Sequence, residues 1–209
     1  MDDYMVIAVI RHGVTEENEL VKYTGWTDTS LSRNGIDILH CRKHLFHQYE
    51  RIFSSDLNRC LETARFLFSE SPVVSSSLLR EIHFGVWEGL TYEDLKEDRV
   101  YQKWLADPTI CPPNGEGMNQ FRLRVDAAWD QIIEEIDEHR GNRYAVITHG
   151  GVIRHLLSLL SPADMKRAFW EWEIHHGNGY ELAWKTEEDW RKNVCTSLRA
   201  VPLMEKADG

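Results

Sequence analysis

Two short stretches bring together residue types able to handle an anion. In the first, Met5 to Asn18 (MVIAVIRHGVTEEN), an apolar run leads straight into Arg11, His12 and Gly13. In the second, Tyr144 to Arg154 (YAVITHGGVIR), another apolar run ends in His149, Gly150 and Gly151. A short continuous apolar run closed by a glycine turn reads as a strand buried on both faces, which puts the cation and the imidazoles at carboxyl ends. In an open α/β sheet that edge is where loops leave a crevice for a ligand. The first stretch alone also fits a solvated turn, since short motifs carry false positives; the repetition of strand, histidine and glycine favours the crevice. Gly150 and Gly151 lack Cβ, so their backbone N–H groups can approach a bound group closely and cradle phosphate.

Two further charged residues fit the same chemistry. The segment SSDLNRCLETARFLF predicts a helix capped by Ser55 or Asp56, with Arg59 in its first turn, where the helix dipole disfavours a cation. There an arginine joins the free amides of the helix start in an anion site, or else swings into water. Glu81 stands in the loop Arg80 to Gly89 among aromatic residues. Burial against Phe84 or Trp87 would raise its pKa and suit it as a proton donor, a role for which Glu88 is the ordinary surface counterpart.

The elements that must position these groups follow from periodicity. Ser32 caps a helix running to about residue 47, Arg51 to Ser54 is a strand, and Val73, Val74 and Leu78 suggest another. Met118 to His139 has apolar residues at helical spacing with charges opposite, and Gly151 to Leu160 begins a further helix. Tyr180 to Trp184 and Val194 to Leu198 read as late strands, and the chain is expected to fray from Glu205. Residues 83 to 117, irregular and broken by Pro and Gly, read as a lid-like insertion over the crevice of one domain spanning 1–209. His40, His44 and His47 share a helix face, which reads as solvated rather than metal-binding because no second shell of carboxylates accompanies it. His175 and His176 precede a Gly-Asn-Gly turn and are read as rim residues. Trp170 and Trp172 are read as exposed, candidates for a contact in a homodimer if the chain is not a monomer.

Composition narrows the partners. The 209 residues, 42% hydrophobic with eight tryptophans, suffice for one sizeable core. A net charge of −10 argues against nonspecific nucleic-acid or anionic-membrane binding, so an anion must be captured by local cations. Cys41, Cys60, Cys111 and Cys195 are widely spaced and read as reduced thiols. With no charged leader before a long apolar segment and no run of membrane-spanning length, a soluble, cytoplasmic protein is expected.

Taken in order, RHG at 11–13, Asn18, TGWTDTSLS at 24–32, SSDLNRCLETA at 54–64, REIHFGVWEG at 80–89 and THGG at 148–151 resemble the histidine phosphatase superfamily, whose fold is phosphoglycerate mutase-like. The resemblance implies a three-layer α/β/α sandwich around a mostly parallel sheet. It also implies His12 as a nucleophile that becomes phosphorylated. Arg11, Arg59 and His149 match the phosphate pocket, Asn18 a substrate contact, Thr24 and Gly25 the lining loop, and Glu81 the proton donor. No cofactor or metal is implied. A protonated His149 is expected to help the arginines stabilise the equatorial oxygens.

Within the superfamily the resemblance points to the small phosphatase branch. The region after Glu81 is short, and His149 is followed by Gly-Gly-Val where mutases usually have Gly-Asn-Ser. The pattern departs at Val14, where relatives usually have Glu, and at Glu17, where mutases usually have Trp. The implied activity is a metal-independent phosphomonoesterase acting through a phosphohistidine on a small phosphorylated substrate, with α-ribazole-5'-phosphate or a sugar phosphate as candidates. The alternatives are a cofactor-dependent phosphoglycerate mutase and, from another class, a noncatalytic phosphate-binding regulatory module.

Overall fold

Strand β1 (Tyr4–Arg11) is buried from Met5 to Ile10 because it lies inside a six-stranded sheet. Its companions are β2 (Arg51–Ser55), β3 (Val73–Ser76), β4 (Arg143–Thr148), β5 (Gly179–Lys185) and β6 (Ser197–Val201), in the order β3-β2-β4-β1-β5-β6. The pairings β3/β2, β2/β4 and β4/β1 are parallel, whereas β5 runs antiparallel to both β1 and β6. The computed structural model describes residues 4–185, 190–191 and 194–202.

Alternation along the strands sends side chains to two cores. Ile7, Val9 and Val146 pack with α6 (Met118–His139) and α7 (Gly150–Leu160) on one face, while Ala8, Ile10, Ala145 and Ile147 meet α2 (Arg33–Arg42) and α3 (Asn58–Leu67) on the other. The sheet is therefore the middle of three layers, as strands without a polar face require. Helix α6 buries Phe121, Val125, Ala128, Trp129, Ile132 and Ile136, the row its spacing predicts. The shorter helices are α1 (Glu16–Glu19), α4 (Tyr92–Leu95) and α5 (Arg99–Ala106).

Several boundaries differ from the sequence reading. The helix capped by Ser32 ends at Arg42 and continues as a 3-10 turn, Lys43–Leu45. Leu78 is not in β3; a 3-10 turn at Ser77–Leu79, started by the Ser76 hydroxyl accepting from Leu78 N–H, leads the chain off the sheet. Strand β6 starts at Ser197, later than Val194, since its register is set by pairing with β5. Trp172 is buried at 2% exposure against Tyr180, so only Trp170 of that pair is exposed. The expected fraying from Glu205 lies outside the described residues. Residues 83–117 carry their own hydrophobic cluster, Trp87, Leu95, Tyr101 and Trp104, joined to Tyr23 by a 2.5 Å hydrogen bond between the Tyr23 and Tyr101 hydroxyls.

The antiparallel edge is held by a buried charge. Glu181 of β5, 1% exposed, accepts from the Tyr49 hydroxyl at 2.8 Å, Arg143 at 3.2 Å and Arg199 Nε at 2.6 Å. Removing Glu181 leaves the buried Tyr49 hydroxyl without its acceptor, at a cost of ~1–3 kcal/mol, whereas the half-exposed Arg199 can turn to water. Glu181→Leu is thus expected to lose about that much stability in urea unfolding; a loss under ~1 kcal/mol would contradict the account.

Candidate active site

The parallel pairing of β1 and β4 sets Arg11 opposite Thr148 and so brings the two strand-end histidines side by side. His12 N–H donates to the Thr148 carbonyl at 2.9 Å, and the rings of His12 and His149 meet edge to face with centroids 5.1 Å apart. Both are buried. His12 Nδ1 lies 2.7 Å from the Gly13 carbonyl. A carbonyl only accepts, so Nδ1 carries the proton and Nε2 keeps its lone pair. The turn is fixed in place because Gly13 N–H donates to the Thr63 hydroxyl of α3, which donates to the Arg59 carbonyl.

Arg59 is fully buried at the start of α3. Neither Ser55 nor Asp56 caps this helix: Leu57 is the N-cap, and Asp28, from a distant loop, accepts from Asn58 N–H at 2.7 Å and from its side-chain amide at 2.8 Å. Long-range capping of this kind ties the 24–28 loop to the helix start. Arg59 then donates to the carbonyls of Thr27 (2.8 Å) and Gly25 (2.7 Å) and to His149 Nδ1 at 3.3 Å. Since a guanidinium only donates, His149 Nδ1 accepts, and its Nε2–H is left for the Ser55 hydroxyl at 3.0 Å. Gly25 lets its loop pack against the segment that follows Glu81, because a Cβ there would stand 2.3 Å from the Ile82 carbonyl. Glu88 proves to be the structural carboxylate, accepting from the backbone N–H groups of Trp26, Thr27 and Phe84.

Glu81 belongs to the same cluster. Its carboxylate accepts from Gly151 N–H at 2.9 Å and from Ile82 N–H at 3.0 Å, while its carbonyl accepts from Trp26 Nε1 and Arg124. Arg124 is itself clamped by Glu116 at 2.6 Å and by the Leu78 and Arg80 carbonyls. Phe84 lines a cavity together with Glu81, whereas Trp87 packs on Tyr101 and Trp104. Among the other residues singled out in the sequence, Asn18 uses its Oδ1 to cap α1 by accepting from Thr15 N–H, and lines a small cavity with Arg11 and His176. Thr24 turns its hydroxyl to the Lys22 carbonyl. A Cβ on Gly150 would stand 3.5 Å from Arg11 Cζ. His40 packs near Phe66 and His47 faces Arg199, so these two imidazoles do not converge.

Positive charge in the cluster exceeds the one carboxylate, Glu81, that all three arginines feel. The buried Nε atoms of Arg11, Arg59 and Arg154 have no hydrogen-bond acceptor. Burial, then Arg59, holds both His12 and His149 well below the ordinary value of 6.5, and burial lowers Arg11 to about 10 despite the counteracting Glu81. Burial and the Arg59 charge thus favour a neutral His149 before an anion arrives, whereas the expected protonated ring concerns the site with its anion bound. Buried donors without acceptors are costly, and a tetrahedral oxyanion would satisfy them.

Two members of the cluster were missed in the sequence. Arg154, on α7, brings Nη1 within 3.0 Å of where a Cβ on Gly150 would be, and it feels the Glu81 charge. Arg154 is the fifth residue of α7, past the first turn in which a cation is anomalous, so the signal that marks Arg59 is lacking. His176 is not a rim residue: it donates from Nδ1 to the His12 carbonyl at 3.3 Å and meets the His12 ring at 5.0 Å. Burial, then Arg11, lowers it to about 3. Its place depends on β5 returning beside β1, which no local pattern reveals.

Comparison with known proteins agrees with this geometry. The family model of the histidine phosphatase superfamily (branch 1) matches residues 7–195. The chain is 32% identical over 174 residues to phosphoglycerate mutase-like protein 4 of Arabidopsis thaliana, covering 78% of this chain and 74% of that one. It is 31% identical over 182 residues to the adenosylcobalamin/α-ribazole phosphatase of Escherichia coli, covering 83% and 87%. The crystal structure of the α-ribazole phosphatase from Shigella flexneri superposes with a TM-score of 0.74 at 27% identity, over 92% of this chain and 96% of that one. The chain belongs to the histidine phosphatase superfamily and is an enzyme of the phosphatase type.

Proposed function

We propose that the chain is a metal-independent phosphomonoesterase that transfers the phosphoryl group of a small ester to His12 Nε2 and then to water. The observation that carries this reading is the hydrogen bond from His12 Nδ1 to the Gly13 carbonyl, which leaves Nε2 unprotonated in a ring that feels the Arg59 and Arg11 guanidiniums. The substrate phosphate binds to Arg11, Arg59 and Arg154, replacing their missing acceptors. Nε2 attacks phosphorus, the P–O bond to the alcohol breaks, and Glu81 in its acid form protonates the departing oxygen. Glu81, now a carboxylate, takes a proton from water, whose oxygen attacks phosphorus and releases His12 and inorganic phosphate. Catalysis rests on positioning and on charge stabilisation by fixed donors. His149 stays hydrogen-bonded to Arg59 and Ser55 and so fixes the phosphate-binding arginine.

The name of the E. coli relative supports α-ribazole-5'-phosphate as a candidate substrate, with a sugar phosphate the other candidate. A mutase reading is supported by the 28% identity to a 2,3-bisphosphoglycerate-dependent phosphoglycerate mutase of Buchnera aphidicola. The products separate them: a phosphatase liberates inorganic phosphate, whereas a mutase returns an isomeric ester.

His12→Ala is expected to reduce phosphate release to background, and Glu81→Gln to lower kcat by about 10²–10⁴-fold; full activity in His12→Ala would refute the mechanism. Activity is expected to survive exhaustive chelation. For pH, the direction is set by burial and Arg59, which disfavour the imidazolium. Nitrogen NMR of the free protein should show His12 neutral well below 6.5, and a protonation midpoint near 6.5 would contradict the site. The unfolded chain binds this proton at the ordinary value and the folded chain does not. Stability conferred above pH 6.5 is therefore lost as pH falls below it, by up to ~1.4 kcal/mol per pH unit for each such histidine.

A further inference from the structure

A cavity of about 400 Å³ opens beside the catalytic cluster and shares Glu81 and Gly151 with it. This is within the ~300–1,000 Å³ range of small-molecule sites. Its lining is largely aromatic: Tyr23, Phe84 and Trp104, which pack with Trp87 and Tyr101, together with Phe121, Phe169 and Trp170. Glu81 and Arg154 are the charged residues in its lining. Both belong to the phosphate end, Glu81 through Gly151 and Arg154 through Gly150. Beyond them the walls offer aromatic faces, and the Tyr23 hydroxyl is already engaged by Tyr101. Trp170 stands at the mouth, 60% exposed, edge-on to Phe169 at 4.8 Å and 5.8 Å from the Arg154 guanidinium.

We infer that the alcohol half of the substrate carries a flat aromatic ring held within these walls, and that Trp170 is the specificity-determining residue that stacks on it. The inference rests on the phosphoesterase reading, because an ester oxygen placed at Glu81 directs its alcohol into this cavity. A carboxylate or a row of sugar hydroxyls would be desolvated there without partners, whereas an aromatic ring loses only water.

The test compares phosphate esters of primary alcohols, so that leaving-group pKa stays similar: 2-(indol-3-yl)ethyl phosphate against glycerol 3-phosphate and 3-phosphoglycerate. The indolyl ester is expected to have the lowest KM. Trp170→Ala should raise that KM about tenfold, with Trp170→Phe restoring most of the loss, while the KM of glycerol 3-phosphate changes by less than about twofold. Trp170 is exposed, so the variants are expected to fold. Independently of turnover, calorimetry should detect 2-(indol-3-yl)ethanol binding to His12→Ala protein and lose it with Trp170→Ala added. Absence of alcohol binding, or an unchanged KM ratio in Trp170→Ala, overturns the inference and leaves the phosphohistidine mechanism standing. A Trp170→Ala effect on sedimentation with an unchanged ratio would assign Trp170 to a contact between copies of this chain, and likewise overturns it. Alcohol binding without turnover of any ester would uphold the aromatic cavity while removing the phosphoesterase reading.

Discussion

The structure depends on one register. Because β1 and β4 pair in parallel with Arg11 opposite Thr148, both strands end at the same level and hand His12 and His149 to the same crevice. A slip of one residue would turn every side chain of β1, Arg11 included, to the face opposite its present one. Buried side chains on both faces prevent that slip: Ile7 and Val9 fill one core, Ala8 and Ile10 the other. The antiparallel β5 completes the arrangement, since its preceding turn donates Gly177 N–H to the Arg11 and His12 carbonyls and seats His176 beside the nucleophile.

That framework holds buried positive charge in excess of the carboxylate within it. Arg11, Arg59 and Arg154 crowd one carboxylate, Glu81, and burial keeps the neighbouring imidazoles neutral. The consequence is functional as well as energetic: a neutral His12 is a nucleophile, and unsatisfied guanidinium donors are preorganised for an oxyanion. Stability elsewhere offsets the strain of this arrangement. Glu181 with Tyr49, Arg143 and Arg199 pins the far strands, and Arg124 with Glu116 anchors the backbone of Glu81.

Much of this was legible in the chain. Arg11, His12, His149 and Gly150 could be read because strand ends and glycine turns are local patterns, and Arg59 because a cation in a first helical turn is locally anomalous. What escaped the reading depends on long-range partners. The cap of α3 comes from Asp28, thirty residues away, so Ser55 and Asp56 were plausible and wrong. Ser55 instead serves His149. Glu81 and Glu88 looked alike among the same aromatic residues, and only the fold separates the cavity carboxylate from the loop clamp. Trp172 and His176 were assigned to the surface because nothing near them in sequence shows the elements that cover them.

The account assigns covalent chemistry to a single atom, Nε2 of His12, with Nδ1 held as a donor by Gly13. The most direct measurement is rapid alkaline quench during turnover of a labelled ester, which preserves a phosphohistidine, followed by peptide mapping and phosphorus NMR. Label on Nε2 of residue 12, lost on chase with unlabelled ester, is the predicted result. Label on Nδ1 or on another residue, or sustained turnover with residue 12 never modified, would contradict it.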